Sequence, residues 1–284
     1  MNYQSRLGEA ALIRWGFIDD ERIYNGSFWG LITNAFVHIE PIHLIFNLYW
    51  FWIFGKAFER TFGSIRLLLF ILVAAAITSG LQLFEGSGIG LSGVGYALFG
   101  FGWVGRTRYP EFARVVTQRT ISLFVIWGIA CIFLTYAHVM NIGNVAHFTG
   151  LAFGAAICAL TEKPRYRYAS GIALVLMVCG SVGALFWNPR SLYWVAKEAD
   201  KAVTRRDYDR AEELYLSTQN LGANPQWTWL SLGELYGAKG DKVSLQRAIN
   251  ELKRIDPENA EYLSGRFENL LKDQKPDVKK PKSE

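Results

Sequence analysis

The sequence predicts an all-α chain: a polytopic bundle of membrane helices followed by a small α-helical repeat domain. Three observations carry this. The chain of 284 residues is 51% hydrophobic, 15% aromatic and only 19% charged, which is apolar for a soluble protein. Its charge is uneven: almost none lies between Leu67 and Thr161 except around Arg106 to Arg119, whereas the segment after Arg190 is dense in both signs. Beyond Arg190, two similar helical patterns recur at a spacing of 34 residues. The net charge of +5 comes largely from short loops and the tail Lys279-Lys280-Pro281-Lys282, which points to membrane topology rather than nucleic acid. Cys131, Cys158 and Cys179 sit inside apolar runs with no CxxC spacing, so neither a disulfide framework nor a structural zinc site is expected. The N-terminus lacks a basic region followed by an apolar one, so no cleavable signal peptide is expected.

Residues 1–27 are mixed and polar around Asp19-Asp20-Glu21-Arg22 and read as a surface segment. Phe28 to Val37 is short, apolar and aromatic, and Trp29 favours the headgroup level, so this stretch reads as interfacial. A first helix is expected from about Pro41 to Phe58, and a second from Leu67 to Phe84. The third is the uncharged run Gly86 to Gly105, whose twenty residues are long enough to cross a bilayer. Thr120 to Thr161 is too long for one span and divides near Asn141-Ile142-Gly143-Asn144 into a fourth and a fifth. A sixth, Tyr168 to Trp187, stops at Asn188-Pro189.

Loop charge fixes the orientation. Lys56, Arg60 and Arg66 follow the first span, four Arg follow the third, and Lys163, Arg165 and Arg167 follow the fifth. The intervening loops carry only Glu85 or nothing. The positive-inside rule therefore puts the three basic loops in the cytoplasm, and the first, third and fifth helices all enter from the outer face.

That alternation brings polar groups to one depth. Ser92 lies in the first turns of the third span and His147 in those of the fifth. His43 and Asn47, four residues apart and so on one helix face, lie in the first turns of the first. Ionisable groups inside a span are costly and mark a cavity or a site. Gly90 and Gly93 flank Leu91-Ser92. Gly93, Ala97 and Gly100 on one helix, with Gly150 and Gly154 on the other, form small faces that permit close packing. Taken alone, Ser92 reads more readily as a small packing residue of a membrane helix. Close to His147 it gains a base: His147 takes its proton and later returns it to a leaving amine. His43, the Asn47 amide and the Ser92 backbone N–H can donate to an oxyanion. No Asp or Glu lies at this depth, so a dyad is expected, with the imidazole held by packing against Tyr96.

With these residues in place the chain resembles the rhomboid intramembrane serine proteases over roughly residues 25 to 160. The matching pattern is His38-x4-His43-x3-Asn47, Gly90-Leu91-Ser92-Gly93 with Tyr96, and Ala146-His147-x2-Gly150-x3-Gly154. The resemblance implies Ser92 as nucleophile, His147 as base, and His43 and Asn47 lining the oxyanion hole. It also implies hydrolysis of peptide bonds in transmembrane protein substrates, within a bacterial inner (plasma) membrane, without metal or cofactor. Two features depart from the family. Residues 1–27 contain no counterpart of its first transmembrane helix, and its usual Trp-Arg is here Trp29-Gly30. The sixth helix is an addition after the core.

After Arg190, Trp229-x2-Leu232-Gly233-x2-Tyr236, Gly240-Asp241, Ala248 and Asp256-Pro257 resemble a tetratricopeptide repeat. A weaker copy holds Asp207 to Ala211, Tyr215 and Asn224-Pro225; a plain helical hairpin is the competing reading. Such repeats present a surface to a protein partner. The expected division is thus an N-terminal segment with interfacial loop over 1–37, a membrane domain over 38–189, a tetratricopeptide-like domain over 190–271 and a disordered basic tail over 272–284. If the sixth helix spans, the repeat domain is extracytoplasmic. Two other functions compete with this one: a catalytically inactive membrane scaffold recruiting partners through its repeats, and metal handling by His38, His43, His138 and His147. The intact Ser–His pair argues against the first. The lack of any Cys or carboxylate beside the histidines argues against the second.

Overall fold

The computed structural model describes residues 12–272, and every regular element within them is helical. The chain divides into two compact units at Asn188 and Pro189.

In the first unit, helix α1 (Asp20–Tyr24) is capped by Asp19, whose carboxylate accepts from Arg22 N at 2.8 Å. Helix α2 (Gly30–Thr33) runs into a 3-10 turn at Asn34–Phe36. Helix α3 (Pro41–Phe62) opens on proline, where a missing N–H costs nothing, and ends at Gly63 with φ 88°. Then come α4 (Ser64–Gln82), α5 (Ser92–Gly105), α6 (Pro110–Val115), α7 (Gln118–Tyr136), α8 (Asn144–Glu162) and α9 (Arg167–Phe186). Helix α5 is the centre: it packs against α3, α4 and α8, and most of its residues are buried. Four described elements, α4, α7, α8 and Pro164–Phe186, are long and apolar enough to cross a membrane. The bent pair Gly30–Phe36 and Pro41–Phe62, at 100°, makes a fifth if counted as one span. The chain is a multi-pass integral membrane protein.

Two expectations need correction. The helix carrying Ser92 does not begin at Gly86. Residues 86–91 are non-helical, with positive φ at Gly86 and Gly90, because their amides are taken from outside: Asp20 Oδ1 accepts from Ser87 N at 2.6 Å and Asn34 O from Gly90 N at 3.0 Å. At about 1.5 Å per residue, the 14 residues of α5 reach only about 21 Å, short of the ~30 Å hydrocarbon core, and most of them are enclosed by protein.

The second correction concerns the N-terminal stretch, which is not merely surface. Ile23 is buried in a cluster with Leu31, Leu83 and Ala184, and Tyr24 is buried with its OH accepting from Asn188 Nδ2. The Asn34 side chain accepts from Ile18 N and donates to Ile18 O, both at 2.8 Å. A Cβ at Gly30 would come within 2.7 Å of Ile18 Cβ, so the residue that departs from Trp-Arg lets α2 rest on this segment. The polar composition hid this, because the buried residues are few and lie among charges. Residues 1–11 lie outside the described part, and so does the tail from 273 onward; Lys272 ends a helix.

The second unit holds α10 (Leu192–Thr204), α11 (Tyr208–Asn220), α12 (Pro225–Lys239), α13 (Lys242–Ile255), α14 (Pro257–Arg266) and α15 (Glu268–Lys272). Each helix from α10 to α14 packs on the next, and α12 also packs on α14. Asp207 and Asp241 occupy equivalent sites, capping α11 and α13 through Arg210 N and Ser244 N. Asn224-Pro225 and Asp256-Pro257 likewise open α12 and α14. Small and branched residues such as Ala199, Ala211, Leu232, Ala248 and Leu263 fill the core.

Candidate active site

Helices α5 and α8 meet through their small residues. A side chain at Gly150 would collide with Gly93 O, and one at Gly154 with Ala97 O. Backbones this close let two short side chains at neighbouring helix starts reach each other. Ser92 is the first residue of α5 and His147 lies in the first turn of α8. Ser92 Oγ is 2.8 Å from His147 Nε2. Ser92 is partly exposed, whereas His147 is buried at 6% exposure. With Ser92 donating to Nε2, the imidazole proton sits on Nδ1. That nitrogen is buried without a hydrogen-bond partner among the described residues. The ring is instead stacked on Tyr96, at 4.6 Å between centroids and 18° between planes.

The remaining candidates gather on the strand-like approach to Ser92. Gly90 has φ 102°, and a Cβ there would lie 2.6 Å from His43 Cε1 and 3.4 Å from Asn47 Nδ2. Glycine therefore allows both the backbone conformation and the approach of the two α3 side chains. His38 is the hub of the group. Its Nε2 accepts from Asn47 Nδ2 at 2.9 Å and from Leu91 N at 3.3 Å, while Nδ1 faces Phe36 O at 3.3 Å. Both donors to Nε2 assign the His38 proton to Nδ1. His38 and His43 meet edge to face at 5.0 Å. One Asn47 N–H is thus engaged by His38 and the other remains for a ligand. As the first N–H of α5, that of Ser92 has no intrahelical acceptor.

Three residues that fix this geometry were not singled out from the sequence. Gln82 is buried at the end of α4 and its Oε1 accepts from Ala146 N at 3.0 Å, holding the turn that carries His147. Its signal was present, as a polar residue in an apolar run. Asn34 gave the same signal. Asp20, which clamps Ser87, gave none beyond its charge. Burial raises the Asp20 carboxyl above its ordinary value, against the lowering effect of the Ser87 hydrogen bond.

Residues 25–164 match the protein-family model described as Rhomboid domain. Two curated relatives, each named Rhomboid protease GlpG, are similar to this chain. The one from Enterobacter sp. (strain 638) is 37% identical over 131 residues, covering 45% of this chain and 47% of the relative. The one from Yersinia pseudotuberculosis serotype I (strain IP32953) is 36% identical over 137 residues, covering 46% and 49%. The chain spans about half the length of these relatives. Residues 25–164 are accordingly similar to a rhomboid domain and to the corresponding part of those two proteases.

Proposed function

We propose that the protein is an intramembrane serine endopeptidase that hydrolyses peptide bonds of transmembrane proteins in a bacterial inner (plasma) membrane. The observation that carries this is the 2.8 Å contact between Ser92 Oγ and His147 Nε2 at the heads of α5 and α8. Ser92 Oγ attacks the scissile carbonyl carbon as its proton passes to His147 Nε2. The resulting oxyanion takes hydrogen bonds from the Ser92 N–H, the free Asn47 N–H and His43. The C–N bond breaks as His147 protonates the leaving amine. Water then gives a proton to His147 as it attacks the acyl carbon, the acyl C–O bond to Ser92 breaks to release the new carboxylic acid, and His147 returns the proton to Ser92 Oγ. Stacking on Tyr96 does the orienting work that a carboxylate does in a triad. The intact Ser–His contact disfavours the inactive-scaffold alternative.

In this reading 38–189 is the catalytic membrane domain and 190–271 a tetratricopeptide-like domain that takes a protein partner. The equivalent caps at Asp207 and Asp241 and the packing of α12 on α14 support the repeat. Incubation with a model transmembrane substrate tests the whole: wild type is expected to cleave it and Ser92→Ala not to. Turnover by Ser92→Ala, or none by folded wild type with any such substrate, refutes the proposal.

A further inference from the structure

Away from Ser92, a groove of about 460 Å³ runs along the outside of the bundle between α8 and α9. Its walls are Leu160, Gly171, Ile172, Val175 and Leu176, and Arg167 stands at one end. Ile172, Val175 and Leu176 are exposed, and in an integral membrane protein this face meets lipid. The charged end is where the positive-inside rule places the cytoplasm. Exposed Tyr166 and Tyr168 mark the headgroup level there.

The charges at this end of the bundle are unbalanced. Arg60 and Arg114 reach Glu111, and Arg108 reaches Glu162. Lys163, Arg165 and Arg167 have no carboxylate within ion-pair distance among the described residues. Lys163 donates to Thr107 Oγ1, Arg165 lies over the Tyr166 ring, and Arg167 Nε donates to Leu160 O. Glu162, the nearest acid in sequence, is already taken by Tyr109 OH at 2.6 Å and by Arg108.

We infer that this groove is a binding site for one anionic phospholipid, its phosphate between Arg165 and Arg167 and one acyl chain along α9. Basic pockets between transmembrane helices on the cytoplasmic side suit such headgroups. The lengths agree: residues 167 to 176 cover about 14 Å of helix axis, close to half the ~30 Å hydrocarbon core and so one leaflet. Gly171 is not demanded by packing, since a Cβ there would meet only Leu160 Cδ1 at 3.8 Å; its effect is to keep the groove open. The site is independent of the catalytic reading.

The test titrates full-length protein in detergent with dioleoyl phosphatidylglycerol, and separately with dioleoyl phosphatidylcholine, counting bound lipid by native mass spectrometry. Wild type is expected to hold one phosphatidylglycerol roughly tenfold more tightly than phosphatidylcholine. The pair Arg165→Gln and Arg167→Gln should abolish that preference and keep the weaker binding. Gly171→Leu should weaken both lipids by filling the chain's seat, with thermal unfolding confirming that it is folded. Ser92→Ala should bind as wild type does. Equal affinities in wild type, or a preference surviving the Gln pair, overturns the headgroup assignment. Undiminished binding by Gly171→Leu overturns the groove. No bound lipid, as would follow if a partner's helix filled the groove, overturns the site altogether.

Discussion

Tyr96 lies flat against the His147 imidazole, 18° from parallel, on the ring whose Nδ1 has no hydrogen-bond partner among the described residues. A base with no carboxylate behind it is free to rotate unless packing prevents it. Tyr96 is one helical turn from Ser92 on the same helix, so one rigid element carries both the proposed nucleophile and the ring stacked on its proposed base.

Replacing that plate separates stacking from the hydroxyl. The Tyr96 OH is itself buried without a partner among the described residues, so Tyr96→Phe removes an unsatisfied group and keeps the ring. Turnover should stay within a few-fold, and thermal stability should hold or rise. Tyr96→Ala frees the imidazole, and a misplacement of about 1 Å can cost about 10²-fold in rate. Measured kcat for both variants decides; an equal loss in each would shift the role to the hydroxyl.

Ser92 and His147 act as one unit if the 2.8 Å contact is the catalytic one. Ser92→Ala, His147→Ala and the double variant should then share one residual rate, since removing either partner already removes the step. Losses that add in the double variant would mean that the two residues contribute separately.

His38 holds Asn47 and the Leu91 amide at once. Loss of one oxyanion donor typically costs about 10²–10³ in kcat. Asn47→Ala should show a loss of that size with KM little changed. His38→Ala should show at least as much, because it releases the Asn47 amide and the residue before Ser92 together. The two substitutions should be strongly non-additive in a double-mutant cycle. Simple addition would leave His38 as a packing residue.

What the sequence could and could not reveal follows from the range of the forces involved. Spans were legible because hydropathy is a property of each segment: α4, α7, α8 and α9 lie within a few residues of their expected places. The candidate site was legible because the polar groups at 43, 47, 92 and 147 are costly in a membrane unless they meet, and the glycines at 93, 150 and 154 permit the helices that carry two of them to approach. The non-helical course of residues 86–91 was not legible. An uncharged run suggests helix, and what unwinds it are acceptors 53 to 67 residues away, at Asp20, Asn34 and His38. The burial of Ile23 and Tyr24 was hidden for the same reason, since Ile23 packs with Leu83 and Ala184 and Tyr24 meets Asn188.

The side on which the second unit emerges is open to direct test. Helix α9 packs on α4 and α8, and Asn188 just beyond it donates to Leu83 O and Tyr24 OH, next to the loop that leads to Ser92. Residues after 189 should then leave the membrane on the face where Ser92 lies, outside the cytoplasm. Protease added to right-side-out vesicles should digest them. Protection there and digestion in inside-out vesicles would put the repeats in the cytoplasm.

The last prediction concerns Asp20, 67 residues from the backbone amide it accepts. If its carboxylate holds the loop before Ser92 in its extended course, Asp20→Ala should release that loop. A hydrogen bond to a charged group is worth about 1.5–3 kcal/mol, so amide exchange over residues 86–91 should accelerate about tenfold or more, and kcat should fall with it. Asp20→Asn keeps an acceptor and should restore both. The pH dependence has a definite sign. Burial raises the Asp20 pKa above its ordinary 3.8, so the folded chain binds this proton more tightly than the unfolded one. The resulting stabilisation is complete below the unfolded pKa and is lost as pH rises through the higher folded one. Asp20→Asn, neutral throughout, escapes that loss. Its stability relative to wild type should therefore grow from about pH 4 toward neutrality, as followed by thermal unfolding. A gap that shrinks over that range would mean that the carboxylate is stabilised by its surroundings, contrary to its burial.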